Sequence, residues 1–148
     1  MVHALEEIRR LVKADGCLID IHPIPNAALF KIHRGSELLL AEPDPGYDTD
    51  ESIPRAEEAL AEAVQRGLFL IERKDEFELV TYASTLAELR DYWAAYGAYD
   101  DTPKDEAVTA QEDAVYAKAD EIMQNAPGAE ITYHERARIT RMEPVGEE

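Results

Sequence analysis

Residues 4–21 read ALEEIRRLVKADGCLIDI, and this stretch decides how the fold begins. Its first part repeats apolar residues at spacings of three and four, which predicts a helix over residues 2–13. Gly16 predicts the end of that helix, because glycine accepts the left-handed conformation of a C-cap. The nearly continuous apolar run 17–21 that follows predicts a short strand covered on both faces.

A hairpin is predicted next along the chain. Residues 28–33 and 37–41 are rich in apolar side chains, and they flank the link Arg34-Gly35-Ser36. A three-residue link that contains glycine is a common hairpin loop. Before this hairpin, Pro23 and Pro25 remove two backbone donors, so we expect the chain to leave regular structure there.

The middle of the chain predicts a second helix and two more strands. Residues 53–66 carry a stripe of alanine, leucine and valine at helical spacing, and Gly67 follows as a stop signal. Residues 68–72 and 76–82 read as strands. The short charged link Arg73-Lys74-Asp75 between them predicts an antiparallel pair.

Two helices and a strand complete the predicted order. Thr85 and Glu88 form a capping-box pattern before the third helix, which carries its apolar face from Leu86 to Tyr96. Thr102-Pro103 predicts the start of the fourth helix, since proline suits the first helical position. That helix ends at Pro127-Gly128, and residues 130–142 alternate as a last strand.

These elements predict the fold class. Their order is helix, strand, hairpin, helix, two strands, two helices, strand. That order indicates an α/β fold of the α+β type, with a mixed, partly antiparallel sheet and four flanking helices. A length of 148 residues predicts a single domain, residues 1–148.

Composition excludes several classes of function. The chain has 32 acidic and 15 basic residues, a net charge of −17, which argues against binding nucleic acid or an anionic membrane surface. No apolar run is long enough to span a bilayer, and the N-terminus lacks the apolar core of a secretory signal. A single cysteine rules out an intrachain disulfide. We therefore expect a cytoplasmic protein.

The candidate ligand-facing residues are Asp20 and His22. They lie two apart at the end of the first strand and so share one face, directed toward the usual ligand crevice of an α/β sheet. Two interpretations stay open: a substrate-facing pair, or a strand end that caps its own turn before Pro23. We expect Cys17 to be a small core residue and, with the histidines scattered, we expect no metal site.

Aromatic residues concentrate on the third helix and its exit. Tyr92, Tyr96 and Tyr99 share a helical face, and Trp93 lies beside it. Three roles stay open for them: core packing under the fourth helix, a protein interface, or a small-molecule pocket. The serines occupy turn or cap positions and no nucleophile elbow is present, so we assign no catalytic residue.

Several segments together resemble the C-terminal half of a class I S-adenosylmethionine-dependent methyltransferase. Residues 4–19 are similar to the family's helix–loop–strand segment L-x-E-x-x-R-x-L-K-P-G-G, with Ala14-Asp15-Gly16 in place of Pro-Gly-Gly. Residues 59–69 with 77–89 resemble the family's later helix and its G-L-F and Y-x-S-x-x-E-L portion. Residues 131–142 resemble its long final strand. The resemblance covers most of the chain.

The same resemblance implies that the cofactor-binding N-terminal half is missing. None of the seven glycines lies within G-x-G spacing of another, so the sequence holds no glycine-rich cradle. We therefore expect no cofactor-binding residue, no cofactor and no enzymatic activity for the isolated chain.

Without that half, the strand at residues 17–21 would keep an unpaired edge. Such an edge must be covered by the 28–41 hairpin, by a second copy, or by a protein that supplies the missing strands. We favour a homodimer.

Three functions follow as hypotheses. The first is a non-catalytic, methyltransferase-like interaction module that works as a homodimer or by docking on a larger protein. The second is one half of a split methyltransferase, completed by another chain. The third is a small-ligand domain that uses Asp20 and His22.

Overall fold

The computed structural model describes residues 2–25, 28–47, 52–96 and 105–146. Within them lie four helices and a five-stranded, open antiparallel sheet, so the predicted mixed α/β class is confirmed. The elements in chain order are α1 (Val2–Leu11), β1 (Leu18–Pro23), β2 (Leu29–Arg34), β3 (Glu37–Pro43), α2 (Ser52–Gln65), β4 (Phe69–Ala83), α3 (Leu86–Tyr96), α4 (Glu106–Asn125) and β5 (Glu130–Pro144).

The chain divides into two compact units, each with its own hydrophobic core. Strands β4 and β5 run through both units, because each is 15 residues long. Whether the chain behaves as the single predicted domain stays a prediction. Unit 1 comprises Met1–Pro25, Asp50–Glu78 and Arg136–Glu148, and unit 2 comprises Asn26–Thr49 and Leu79–Glu135.

In unit 1, β1 pairs antiparallel with the second half of β5, in a register that sets Leu18 opposite Met142 and Pro23 opposite Ala137. Helices α1 and α2 contact each other and supply most of the core. The fully buried residues of that core are Leu5, Ala59, Leu60, Ala63, Phe69 and Met142.

In unit 2, β2 forms a hairpin with β3 and pairs on its other side with the first part of β5. Gly35 turns the hairpin with a φ of 61°, a conformation that costs glycine little. Helices α3 and α4 pack their apolar residues into the core of this unit, which includes Phe30, Leu89 and Ile131. The predicted hairpin is therefore confirmed.

The local signals that start and stop helices act as predicted in two places. The Glu88 N–H donates to Thr85 Oγ1 at 3.1 Å, as in a capping box, and the Glu88 carboxylate accepts from the N–H of Ser84, one residue before the N-cap, at 2.7 Å. Gly67 follows α2 with a φ of 69°, as a C-terminal glycine does.

The prediction of two strands, at residues 68–72 and 76–82, is wrong. A single strand, β4, runs from Phe69 to Ala83. The Arg73-Lys74-Asp75 link has none of the glycine, proline or asparagine that a tight turn favours. Its exposed charges are accommodated along an extended backbone instead, where Arg73 hydrogen-bonds Asp75 at 2.7 Å. The strand pairs with β5 rather than folding back on itself.

The prediction that the first strand is covered on both faces is also wrong. Ile19 is 48% exposed and Ile21 59% exposed, and Cys17, expected in the core, is exposed as well. A continuous apolar run shows that either face of a strand could be buried. It does not show whether helices pack on both faces or, as here, on one. In unit 1 the helices cover the face that carries His22.

The start of α4 lies later than predicted. The helix begins at Glu106, and the side chain of Asp105 caps it by accepting from the Ala107 N–H at 2.7 Å. A carboxylate at this position satisfies a backbone donor that no helical carbonyl can reach. Thr102-Pro103, where the start was predicted, lies outside the described residues.

We predict that Phe69→Ala lowers the free energy of unfolding by about 3–5 kcal/mol, since truncating a buried phenylalanine leaves a cavity. Phe69 is 0% exposed in the core of unit 1, whereas its neighbour Leu70 is 60% exposed. Leu70→Ala is the matched control and should change stability by less than about 1 kcal/mol. Urea unfolding followed by circular dichroism measures both; equal losses would contradict the assigned core.

Candidate functional site

A group of polar side chains gathers on one face of the sheet in unit 1. The register sets Asp20 opposite Thr140 and His22 opposite Arg138. Residues directly opposite in an antiparallel pair project from the same face, so these four side chains are neighbours. Strand pairing alone thus brings together residues that are more than a hundred positions apart in the sequence.

His22 lies at the centre of this group, between two carboxylates. Its Nδ1 is 2.5 Å from Asp20 Oδ2, and its Nε2 is 2.8 Å from Glu57 Oε1 on α2. Ionised carboxylates accept hydrogen bonds and do not donate, so both contacts are satisfied at once when each ring nitrogen carries a hydrogen. The ring is buried, which keeps water from competing for these bonds.

Glu57 connects the histidine to a second set of charges. Its carboxylate also accepts from the Arg138 guanidinium, and Lys74 Nζ lies 3.4 Å from its other oxygen. Burial raises the pKa of Glu57, but the hydrogen bonds from His22 and Arg138 and the charge of Lys74 outweigh it and hold the pKa at about 2. Glu57 is therefore ionised at neutral pH.

Arg138 extends the group to β4 by donating to Glu76 as well as to Glu57. The hydrogen bond from Arg138 holds the pKa of Glu76 below its usual value. We call this set of five connected side chains the polar network; its members are Asp20, His22, Glu57, Glu76 and Arg138.

Two buried polar atoms beside the network have no hydrogen-bond partner among the described residues: Thr140 Oγ1 and Arg138 Nε. Thr140 is only 1% exposed, and it lies two residues from Arg138 on the same face of β5. A buried polar group left unpaired costs roughly 1–3 kcal/mol. An acceptor atom from a water or a small polar ligand would satisfy each donor.

The sequence singled out Asp20 and His22, and the structure brings them into direct contact. It adds Glu57, Arg138 and Thr140, which the sequence did not single out. A period-two pattern on the last strand places Arg138 and Thr140 on one face, but only the register shows what they face. Whether Asp20 and His22 meet a ligand stays a prediction.

The aromatic residues of α3 divide between core and surface. The Trp93 ring contacts Tyr133 edge-on at 4.8 Å and Tyr92 at 5.0 Å, and it packs against the core of unit 2. Tyr92 is exposed. The Tyr96 side chain and all of Tyr99 lie outside the described residues. Core packing thus accounts for Trp93, and the exposed Tyr92 packs its ring against that of Trp93.

Tyr133 is held by a second polar contact in unit 2. Its hydroxyl donates to the Asp44 carboxylate. Burial raises the pKa of Tyr133, and the nearby charge of Asp44 raises it further, so the hydroxyl keeps its proton and stays a donor. This bond ties the loop after β3 to β5.

A shallow depression of about 410 Å³ lies in unit 2 between the start of α3 and the end of α4. Its walls include Leu86, Met123 and Gln124, and none of its lining residues is aromatic. It is therefore not the aromatic-lined pocket that the sequence left open as one role for the tyrosines.

The part of the chain that the structure describes holds neither a cluster of metal ligands nor a membrane-spanning helix. No group of three or more histidine, cysteine, aspartate or glutamate side chains there is arranged to hold a metal ion. No helix there is long and apolar enough to cross a membrane.

Comparison of the chain with protein-family models, with curated proteins and with solved structures found no match. The resemblance to class I methyltransferases therefore stays a prediction.

We predict that Glu57→Gln destabilises the protein in a pH-dependent way. Because the folded-state pKa of Glu57 is depressed, its contribution to stability is present above pH 4.5 and is lost as the pH falls toward 2. The depression from 4.5 to about 2 corresponds to at most about 3 kcal/mol. Urea unfolding of wild type and variant between pH 3 and pH 7 measures the difference.

Glu58→Gln is the control, since Glu58 is the exposed neighbour on the same helix. Its effect should be small at every pH. If the loss caused by Glu57→Gln were the same at pH 3 as at pH 7, the ionised Glu57 would not be the source of the stability.

Proposed function

We propose that this chain is a non-catalytic interaction module that works as a homodimer. The observation that carries the proposal is the exposed apolar side of β1, where Ile19 and Ile21 face outward. Among the described strands, β1 pairs with β5 alone. An apolar strand with one free edge associates with other chains unless it is covered.

Charge favours β1 over the other strands that have a single strand partner in the described part of the chain. Strand β4 carries a run of charged side chains from Glu72 to Glu76, and β3 carries Glu37 and Glu42. Strand β1 carries one carboxylate, Asp20, which is already bonded to His22. Charged residues protect an edge from pairing, so β1 is the least protected of the three.

The net charge limits where two copies can meet. Two chains carry twice −17, or −34, so contact over most of the surface is opposed by repulsion. An interface built on β1 keeps that repulsion low. The hairpin considered as a cover for this edge is engaged elsewhere, since β2 pairs with β3 and β5. A second copy of the chain is the simplest remaining partner for this edge. We propose the cytoplasm as the location of the protein.

A small-ligand function is the second candidate, and Thr140 is the observation that favours it. Its buried hydroxyl and Arg138 Nε lack a partner among the described residues, beside the Asp20–His22 pair. A ligand that offers an acceptor atom to each would satisfy them. We place this function second to dimerisation, because Asp20 and His22 already hydrogen-bond each other.

Calorimetry with S-adenosylmethionine separates the proposed module from a split methyltransferase. We propose no cofactor for the isolated chain, because the sequence has no glycine-rich cradle. Tight binding by the purified chain would overturn the non-catalytic proposal. Binding only after a second protein is added would support the split enzyme instead.

We predict that the melting temperature of the protein falls on hundredfold dilution, because a dimer gains stability by mass action. Ile21→Thr keeps the preference for a strand but removes apolar surface, and it should weaken the dimer and this concentration dependence. Sedimentation equilibrium gives the mass of the species in each case.

Leu11→Gln is the control for that experiment. Leu11 is exposed at the end of α1 and is replaced by another good helix former. It should leave the dimer unchanged. A wild-type chain that sediments as a monomer, with a melting temperature independent of concentration, would refute the proposal.

A further inference from the structure

The edge of β1 that faces away from β5, unpaired among the described strands, has a defined hydrogen-bonding pattern; it is called the free edge below. The Ile24 N–H donates to the Arg136 carbonyl at 3.0 Å, just beyond the pairs that run from Leu18–Met142 to Pro23–Ala137. In an antiparallel ladder, hydrogen-bonded and non-hydrogen-bonded pairs alternate. The even-numbered residues of β1 therefore direct their backbone groups toward β5, and the odd-numbered residues direct theirs to the free edge.

That edge offers two donors and three acceptors. The donors are the N–H groups of Ile19 and Ile21; the acceptors are the carbonyls of Ile19, Ile21 and Pro23, because proline has no N–H. The side chains alternate across the strand as well. Asp20 and His22 lie on the face that meets α2, and Ile19 and Ile21 lie on the opposite, exposed face.

We infer that two copies of the chain pair β1 with β1 across a two-fold axis centred on Ile21, so that the two sheets become continuous. This inference rests on the proposed dimer and specifies its interface. In this register Ile21 lies opposite the partner's Ile21, and Asp20 lies opposite the partner's His22. An apolar pair at the axis is thus flanked, on the other face of the strands, by Asp20 and His22 of each copy, which stay bonded within their own chain.

The backbone groups fit the same register. Ile21 exchanges two hydrogen bonds with the partner's Ile21, since both residues direct their groups outward. The Ile19 N–H donates to the carbonyl of the partner's Pro23, and the two-fold axis repeats that bond. Because Pro23 has no N–H, the second hydrogen bond of this pair, from Pro23 to the carbonyl of the partner's Ile19, is absent at each end.

Other two-fold registers are less favourable. An axis at Asp20 sets two carboxylates directly opposite each other, and like charges in that position are destabilising. An axis at Ile19 sets the Asp20 carboxylate opposite the partner's Leu18, an apolar side chain that offers it no hydrogen bond. A two-fold axis that passes between two residues sets an even-numbered residue of one copy opposite an odd-numbered residue of the other. Their side chains belong to different faces, so one sheet would be turned over relative to the other.

Disulfide cross-linking tests this register. In a Cys17→Ser background, Ile21→Cys would place two cysteines in a hydrogen-bonded pair with Cα atoms about 5.5 Å apart, within disulfide range. Ile19→Cys is the matched control on the same exposed face. Its two copies would lie four residues out of register, about 13 Å apart along the strands. Under mild oxidant, we expect Ile21→Cys to form a covalent dimer about tenfold faster or more.

A second measurement needs no substitution, because Cys17 is exposed and accepts a spin label. In the proposed register the two Cys17 residues are eight positions apart along the strands, about 26 Å. An axis at Asp20 reduces this to about 20 Å, and an axis at Ile19 to about 13 Å. Pulsed electron resonance on the native dimer distinguishes these distances.

The outcomes separate the interface from the proposed function. A dimer with rapid Ile21→Cys cross-linking and a label distance near 26 Å supports the inference. A dimer in which Ile19→Cys links faster, or in which neither links, overturns this register and leaves the homodimer in place. A chain that stays monomeric before oxidation overturns both.

Discussion

The rest of the structure depends on the backbone pairing of β5. This strand pairs with β1, β2 and β4, so it satisfies hydrogen bonds for strands in both compact units. Its side chains also enter both cores, through Met142 in unit 1 and through Ile131 and Tyr133 in unit 2. A strand with three partners leaves no freedom of register, because a shift by one residue would exchange its buried and exposed faces.

The polar network is a consequence of that register. Arg138 faces His22 only because β5 pairs with β1 in this alignment, and α2 then adds Glu57. The charged groups of the network are only partly removed from water, and their ion pairs and hydrogen bonds offset that cost. The depressed pKa of Glu57, to about 2, shows that its partners outweigh its burial. Beside the network, Thr140 Oγ1 and Arg138 Nε have no hydrogen-bond partner among the described residues, so a water or a small polar ligand that accepted from them would add stability.

The same pairing that holds one edge of β1 leaves its other edge without a partner among the described strands. In the proposed homodimer, the net charge of −17 on each chain favours contact through β1, whose one carboxylate, Asp20, is bonded to His22. A short strand with two outward isoleucines and an internal Asp20–His22 pair is suited to meet its own copy. In that proposed dimer, the outward isoleucines supply the attraction, and the outward backbone groups of the odd-numbered residues set the register.

The sequence by itself determined most of the local structure: the helices α1, α2 and α3, the glycine stop of α2, the β2–β3 hairpin, and the mixed α/β class. The left-handed glycine cap predicted for α1 is wrong, because α1 ends at Leu11 and Gly16 has no positive φ. These depend on spacing and turn chemistry within a few residues, which a sequence displays directly. Only the tertiary structure decided that β4 is one strand, that Ile21 and Cys17 are exposed, and that Glu57 and Arg138 join His22. Each of these depends on which distant segment supplies a partner or a covering layer. Local periodicity can show that a side chain tolerates burial, but it cannot show what comes to bury it.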